Sequence, residues 1–226
     1  MVTRGQLLER PVVLPTSVGC LDGIFLRGGG PGLLVASPLP GHGGSMTTPI
    51  GSELAYAAAY AGHASLRLDY RGVGASEGEE SQDPRHAGED LRHGVDFLCE
   101  STGVESVVLA SALSGAWPAL LAAQADPRVT RLLLISPPYE APPAGVPSYG
   151  EVGRRILVVA GADDPTFEHG AELERVEAAS NARLEVVPGA TRSFREALLA
   201  LARLVPQVLG AGRRDPDAPL ASSSGS

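Results

Sequence analysis

Short apolar, β-rich runs alternate with longer segments of helical period along most of this chain, and that alternation leaves few architectures open. The runs lie near Val12-Val13, Gly23–Leu26, Leu33–Val35, Ser65–Leu68, Val107–Ala110, Arg131–Ile135, Ile156–Ala160 and Leu184–Val187. Runs apolar throughout read as strands covered on both faces, and strands joined through helices pair in parallel. The expected fold is therefore α/β: a mostly parallel eight-stranded sheet with helices on both faces, its first two strands antiparallel. Asp83 followed by Pro84 is an N-cap with proline at the first helical position, and Leu91, Val95, Leu98 and Cys99 then share one face up to about Glu100. Phe194, Leu198, Leu201, Val205 and Val208 form a second apolar stripe, that of a last helix docked on the sheet.

Composition bounds what such a fold does. At 226 residues with 43% hydrophobic content, the chain has enough for one sizeable core. One domain is expected over residues 1–210, followed by a disordered tail, 211–226, poor in apolar groups. Neither a signal peptide nor a membrane span is legible, so a cytoplasmic location is expected. The net charge of −8 argues against nucleic acid and against anionic membrane as partners. All 18 basic residues are arginine, which excludes lysine Schiff-base and P-loop chemistry. Cys20 and Cys99 are too few for a disulfide framework or a zinc site, and Cys99 reads as a buried free thiol. The histidines supply no metal site either: His86 and His93 read as surface residues, His63 as the end of a helix. No cofactor is called for.

The most informative local feature is residues 107–120, a buried strand that turns sharply into a helix through Ser111-Ala112-Leu113-Ser114-Gly115. Two further glycine-rich segments precede it: Ser37-Pro-Leu-Pro-Gly-His-Gly-Gly-Ser-Met46 after the third run, and Asp69-Tyr-Arg-Gly-Val-Gly-Ala-Ser76 after the fourth. Together, in order and spacing, these three segments resemble the α/β-hydrolase superfamily, in its compact lidless form of the dienelactone-hydrolase or short-esterase type. The proline-rich loop from Pro137 to Arg154 is too short for a helical lid, so the pocket is expected to be open.

The resemblance implies roles that this sequence fills only in part. The turn at 111–115 corresponds to the Gly-x-Ser-x-Gly nucleophile elbow, with Leu113 where the serine belongs. Gly161-Ala162-Asp163-Asp164 corresponds to the acid loop, which makes Asp164 the counterpart of the triad acid. Pro188-Gly189-Ala190-Thr191-Arg192 corresponds to the histidine loop, with Arg192 in the histidine's place. Leucine cannot attack a carbonyl, and an arginine with a pKa above about 12 cannot accept a proton at neutral pH. The triad therefore reads as degenerate, and the chain as a pseudoenzyme in the hydrolytic sense.

Around that gap the remaining candidates are few. His42 is the best remaining acid-base group; His169 is a weaker one, able to approach Asp164 if its loop folds back. Ser111 and Ser114 are alternative, displaced nucleophiles, although Ser114 reads more simply as the N-cap of the following helix. Asp164 and Arg192 are expected to form a hydrogen-bonded ion pair, and Trp117 to pack between helix and sheet. Ligand contacts are expected from Leu39, His42, Leu113, Ser114 and Arg192, at the carboxyl ends of the strands. The expected partner is a small molecule with an apolar body and a carbonyl or carboxylate end. The expected function is small-ligand binding, or acid-base catalysis of the cyclase, isomerase or lyase kind; the alternative is an esterase or thioesterase using Ser111 or Ser114.

Overall fold

The structure, a computed structural model, describes residues 4–167 and 169–210, with the side chains of 169–171 outside the description. The 211–226 tail and the His169 side chain therefore lie outside the described residues.

Eight strands form one sheet in the order β1-β2-β4-β3-β5-β6-β7-β8. β1 (Arg10–Thr16) pairs antiparallel with β2 (Gly19–Leu26), and β2 pairs antiparallel with β4 (His63–Leu68). From there the sheet is parallel: β4, β3 (Gly29–Ala36), β5 (Val107–Ala112), β6 (Val129–Ile135), β7 (Arg155–Gly161) and β8 (Ala182–Val187). Each run read as a strand forms one. His63 is the exception among the histidines: it starts β4, almost fully buried, with Nδ1 at 2.9 Å from the Pro31 carbonyl, because the preceding helix stops at Tyr60.

Strand alternation splits the core into two layers. Val107 and Leu109 of β5 face α2 (Pro84–Thr102), α3 (Ala116–Ala125) and α5 (His169–Glu177), meeting Leu91, Val95, Leu98, Ala119 and Val176. Val108, Ala110 and Ala112 face the opposite layer, with Ile50 and Leu54 of α1 (Pro49–Tyr60) and Leu201 and Val205 of α6 (Leu198–Leu209). Asp83 caps α2 as its sequence predicts, accepting from the Arg85 amide. The last helix begins later than its stripe: Phe194 is fully buried at a φ of +52° in the turn before Leu198, a left-handed backbone that cannot lie inside a right-handed helix. Cys99 is half-buried rather than buried, at the edge of the α2 face. No helix among the described residues is long and apolar enough to cross a membrane.

The Asp69–Ser76 turn is a brace between strand and helix. Ser76 Oγ donates to the Asp69 carbonyl and accepts from the Asp22 amide, closing the turn on β2. Asp69 accepts from the Met46 amide at 2.6 Å, tying the turn to the loop after β3. Arg71 donates from Nε and Nη2 to Asp90, whose side chain is fully buried in α2. Gly74 lies at a φ of +59°, and a Cβ there would sit 2.5 Å from Asp69 Oδ2. These contacts fix the carboxyl ends of β3 and β4, where the site is built.

A single four-residue helix, α4 (Tyr149–Val152), interrupts the loop between β6 and β7, so no lid domain is present among the described residues.

Candidate functional site

The carboxyl end of β5 turns into α3 through a 3-10 turn, Leu113–Gly115, and Leu113 at its tip has a φ of +52°. Left-handed backbone at a leucine costs on the order of 1–3 kcal/mol, and it persists only where its surroundings enforce it. Gly115 shows what enforces it here: a Cβ at that position would stand 2.5 Å from the Ser37 carbonyl oxygen. The helix start is pressed against the end of β3, and the chain enters it through one strained residue. Leu113 is half-buried and packs on the α1/α6 layer.

Ser114 does not cap the helix. Its Oγ accepts from the Leu39 amide at 3.0 Å and lies 2.7 Å from His42 Nδ1. Because the Leu39 N–H supplies one hydrogen, the serine's own proton is available to His42, or the imidazole's to the serine, according to tautomer. The hydroxyl is drawn toward the loop after β3 because Leu39 begins a 3-10 turn, Pro40–His42, that delivers both partners. Ser114 is only 2% exposed, while His42 is exposed. Ser111 is fully buried in β5, and its Oγ has no hydrogen-bond partner among the described residues.

A second cluster stands over β6, β7 and β8. Asp164 is buried and accepts from the Thr166 amide at 2.8 Å, the Thr166 hydroxyl at 2.7 Å and the Tyr139 phenol at 3.1 Å. An aspartate bonding the amide two residues on is an Asx turn, set by Asp164-Pro165-Thr166 itself. Arg192 arrives from the loop after β8, but its hydrogen bond goes from Nη1 to Thr166 Oγ1 at 2.6 Å. Its distance to Asp164 Oδ2 is 3.9 Å, so the direct hydrogen-bonded pair expected from the sequence is instead relayed through the threonine. The Asx turn presents Thr166 Oγ1 to both groups: it donates to Asp164 Oδ1 and accepts from Arg192 Nη1. The Arg192 guanidinium also stacks on Tyr139, 5.2 Å from its ring centroid. Burial and the adjacent Asp164 push the Tyr139 phenol well above its ordinary pKa, so it remains a donor to the carboxylate.

Tyr139 and Thr166 are absent from the sequence-level candidates. Thr166 was accessible to that reading as the Asx-turn partner of Asp164; Tyr139, in an irregular proline-rich loop, carried no such signal. Trp117 packs against the core layer of α2, α3 and the sheet, and its half-buried side chain also lines a recess beside α3 with Ala116 and Leu120. No group of three or more His, Cys, Asp or Glu able to hold a metal occurs among the described residues.

No protein-family model and no curated protein matches the sequence. Solved structures do resemble it in fold. An alpha-beta serine hydrolase homologue from Coxiella burnetii superimposes with a TM-score of 0.77 at 24% identity, covering 88% of this chain and 96% of that one. A serine hydrolase without lid from Xanthomonas campestris gives 0.75 at 24% identity, over 89% and 94%. A dienelactone hydrolase from Anabaena variabilis gives 0.75 at 23% identity, over 91% and 98%.

Proposed function

We propose that this chain, which has the α/β-hydrolase fold, binds a small molecule at the carboxyl edge of its sheet and does not hydrolyse it through an acyl-enzyme. The observation that carries the reading is Leu113 at the strained tip of the elbow, φ +52°, where the fold would hold a nucleophile. A side chain without an attacking atom stands at the reactive position, and Arg192, in the loop after β8, is a guanidinium that cannot accept a proton and donates to Thr166. What remains is a binding constellation. Leu113 offers an apolar floor, while the exposed imidazole of His42 and the outer face of Arg192 offer donors to a carbonyl or carboxylate end. His42 is the group best placed for any residual acid-base chemistry, of the cyclase, isomerase or lyase kind.

A second reading, a serine hydrolase built on Ser114 and His42, is favoured by their 2.7 Å contact. Against it stand the 2% exposure of Ser114 and the bond its oxygen already accepts from Leu39. Attack would require the turn to open and that bond to break.

Ligand titration tests the binding reading. Fatty acids, acyl esters and aromatic lactones, added while backbone amide shifts are followed, should perturb residues 38–45, 113–115 and 163–167 with at least one class. Perturbations confined to the opposite edge of the sheet, or none with any class, would leave the reading without support.

A further inference from the structure

Between α3 and α5, under the proline-rich loop, lies a recess of about 270 Å³ that does not include Leu113. Trp117 and Leu120 form one wall, Pro138, Pro147 and Tyr149 a second, and Ala179 the third. It exists because the crossover from β6 to β7 carries only the four residues of α4 as helix. A longer helix would cover the sheet there, whereas this loop spans the gap and leaves space beneath it.

We infer that this recess is a seat for a neutral, two-ring aromatic molecule or moiety. The inference rests on the reading that the chain binds a small molecule, and it names where the apolar body goes. Three observations carry it.

The recess is held open. Arg175 of α5 donates from Nη1 to the Pro138 carbonyl at 3.0 Å, and from Nη2 to the carbonyls of Tyr139 and Glu140. Tyr149 donates its phenol to Glu172 at 2.8 Å, and Asn181 donates to the Tyr149 carbonyl at 2.8 Å. Prolines 137, 138, 142, 143 and 147 restrict the backbone between these anchors. Walls pinned in this way cannot collapse into the space, so little ordering is needed when a ligand enters.

The size and the walls select rings. An apolar cavity of about 150 Å³ takes a benzene, so a space somewhat under twice that volume suits two fused rings. The half-buried Trp117 and the buried Tyr149 line the recess with aromatic rings, against which such a ligand stacks offset or edge to face.

The electrostatics select a neutral ligand. Among the described residues the one cation in the lining is Arg175, which already faces Glu172, with Nη1 at 3.2 Å from Oε2, and whose terminal nitrogens are committed to loop carbonyls. Glu140, exposed at the rim, adds negative charge that disfavours an anion. An acidic ligand would therefore lose its water without gaining a free cation.

The chain contains one tryptophan, so its fluorescence reports on this recess alone. Titrating 2-naphthol into the full chain should change that fluorescence saturably and shift the amides of Ala116, Trp117, Ala119 and Leu120 and of residues 148–150. Its charged counterpart, 2-naphthoate, should bind at least about tenfold more weakly, and two filling variants should weaken 2-naphthol by at least about tenfold. Ala178→Phe and Gly150→Leu suit this purpose: both positions are exposed and line the recess, and a Cβ at 150 meets nothing within 4 Å. Unchanged melting curves for the variants would show that the fold is retained. The inference is overturned if 2-naphthoate binds equally well, if both correctly folded variants bind 2-naphthol as before, or if 2-naphthol does not bind. Should 2-naphthol fail while acyl ligands shift residues 38–45 and 113–115, only the recess is lost; silence from every ligand would remove the binding reading as well.

Discussion

Asp90→Ala should lower stability by about 3 kcal/mol, because it leaves the buried Arg71 guanidinium with only the exposed Glu89, 3.0 Å from Nη2, and the His86 carbonyl as partners. The Asp90 side chain is fully buried, and it accepts from the Arg71 amide at 2.9 Å, from Nε at 3.0 Å and from Nη2 at 2.7 Å. Hydrogen bonding to Asp90 raises the Arg71 pKa, and even without that partner a guanidinium keeps its charge. In a chain of this size each kcal/mol moves the melting temperature by roughly 2–4 °C, which places the expected drop near 10 °C. Asp90→Asn keeps an acceptor and should lose less. Replacing both partners together, as Arg71→Met with Asp90→Leu, should recover much of the loss, because the desolvation cost disappears with the charges. Chemical denaturation checks all three; a cost for Asp90→Ala below about 1 kcal/mol would remove the brace assigned to this turn.

Asp164→Ala and Arg192→Ala should differ widely in cost, although from the sequence alone the two residues read as one hydrogen-bonded pair. Removing Asp164 leaves the Thr166 amide, the Thr166 hydroxyl and the Tyr139 phenol without their shared acceptor, at about 3 kcal/mol in total. Arg192 is 36% exposed and 3.9 Å from the carboxylate, so its charge is screened by solvent. Its loss should cost about 1 kcal/mol or less, mainly through the Thr166 bond and the Tyr139 stack. Equal costs would mean that the direct ion pair, rather than the Thr166 relay, holds this cluster together.

The contrast between these two residues also marks where sequence reading stops. All eight strands were legible: β3, β5, β6 and β7 carry apolar runs covered on both faces, while the edge strands β1 and β8, only partly covered, were read from short β-rich runs. The elbow was legible too, since Gly115 and the strand-to-helix switch are local signals. Side-chain partners were not. Ser114 reads locally as a helix cap, but His42 and Leu39, more than 70 residues earlier, outcompete the helix for its hydroxyl. Arg192 and Asp164 lie in the expected loops, yet which of them bonds which depends on Tyr139, brought in from the irregular loop after β6. The recess beside Trp117 depends on how that loop is pinned to α5, which no period in the sequence records.

The central claim is that no nucleophile operates at or beside the Leu113 elbow. Incubating the purified chain with a fluorophosphonate probe and locating any adduct by mass spectrometry of its peptides tests it most directly. The account predicts no stoichiometric labelling and no turnover of para-nitrophenyl acetate above background, because Ser111 is fully buried and Ser114 is 2% exposed and bonded to Leu39 and His42. Stoichiometric modification of Ser114 or Ser111, abolished by the corresponding alanine variant, would contradict it and make the chain a serine hydrolase with a displaced nucleophile.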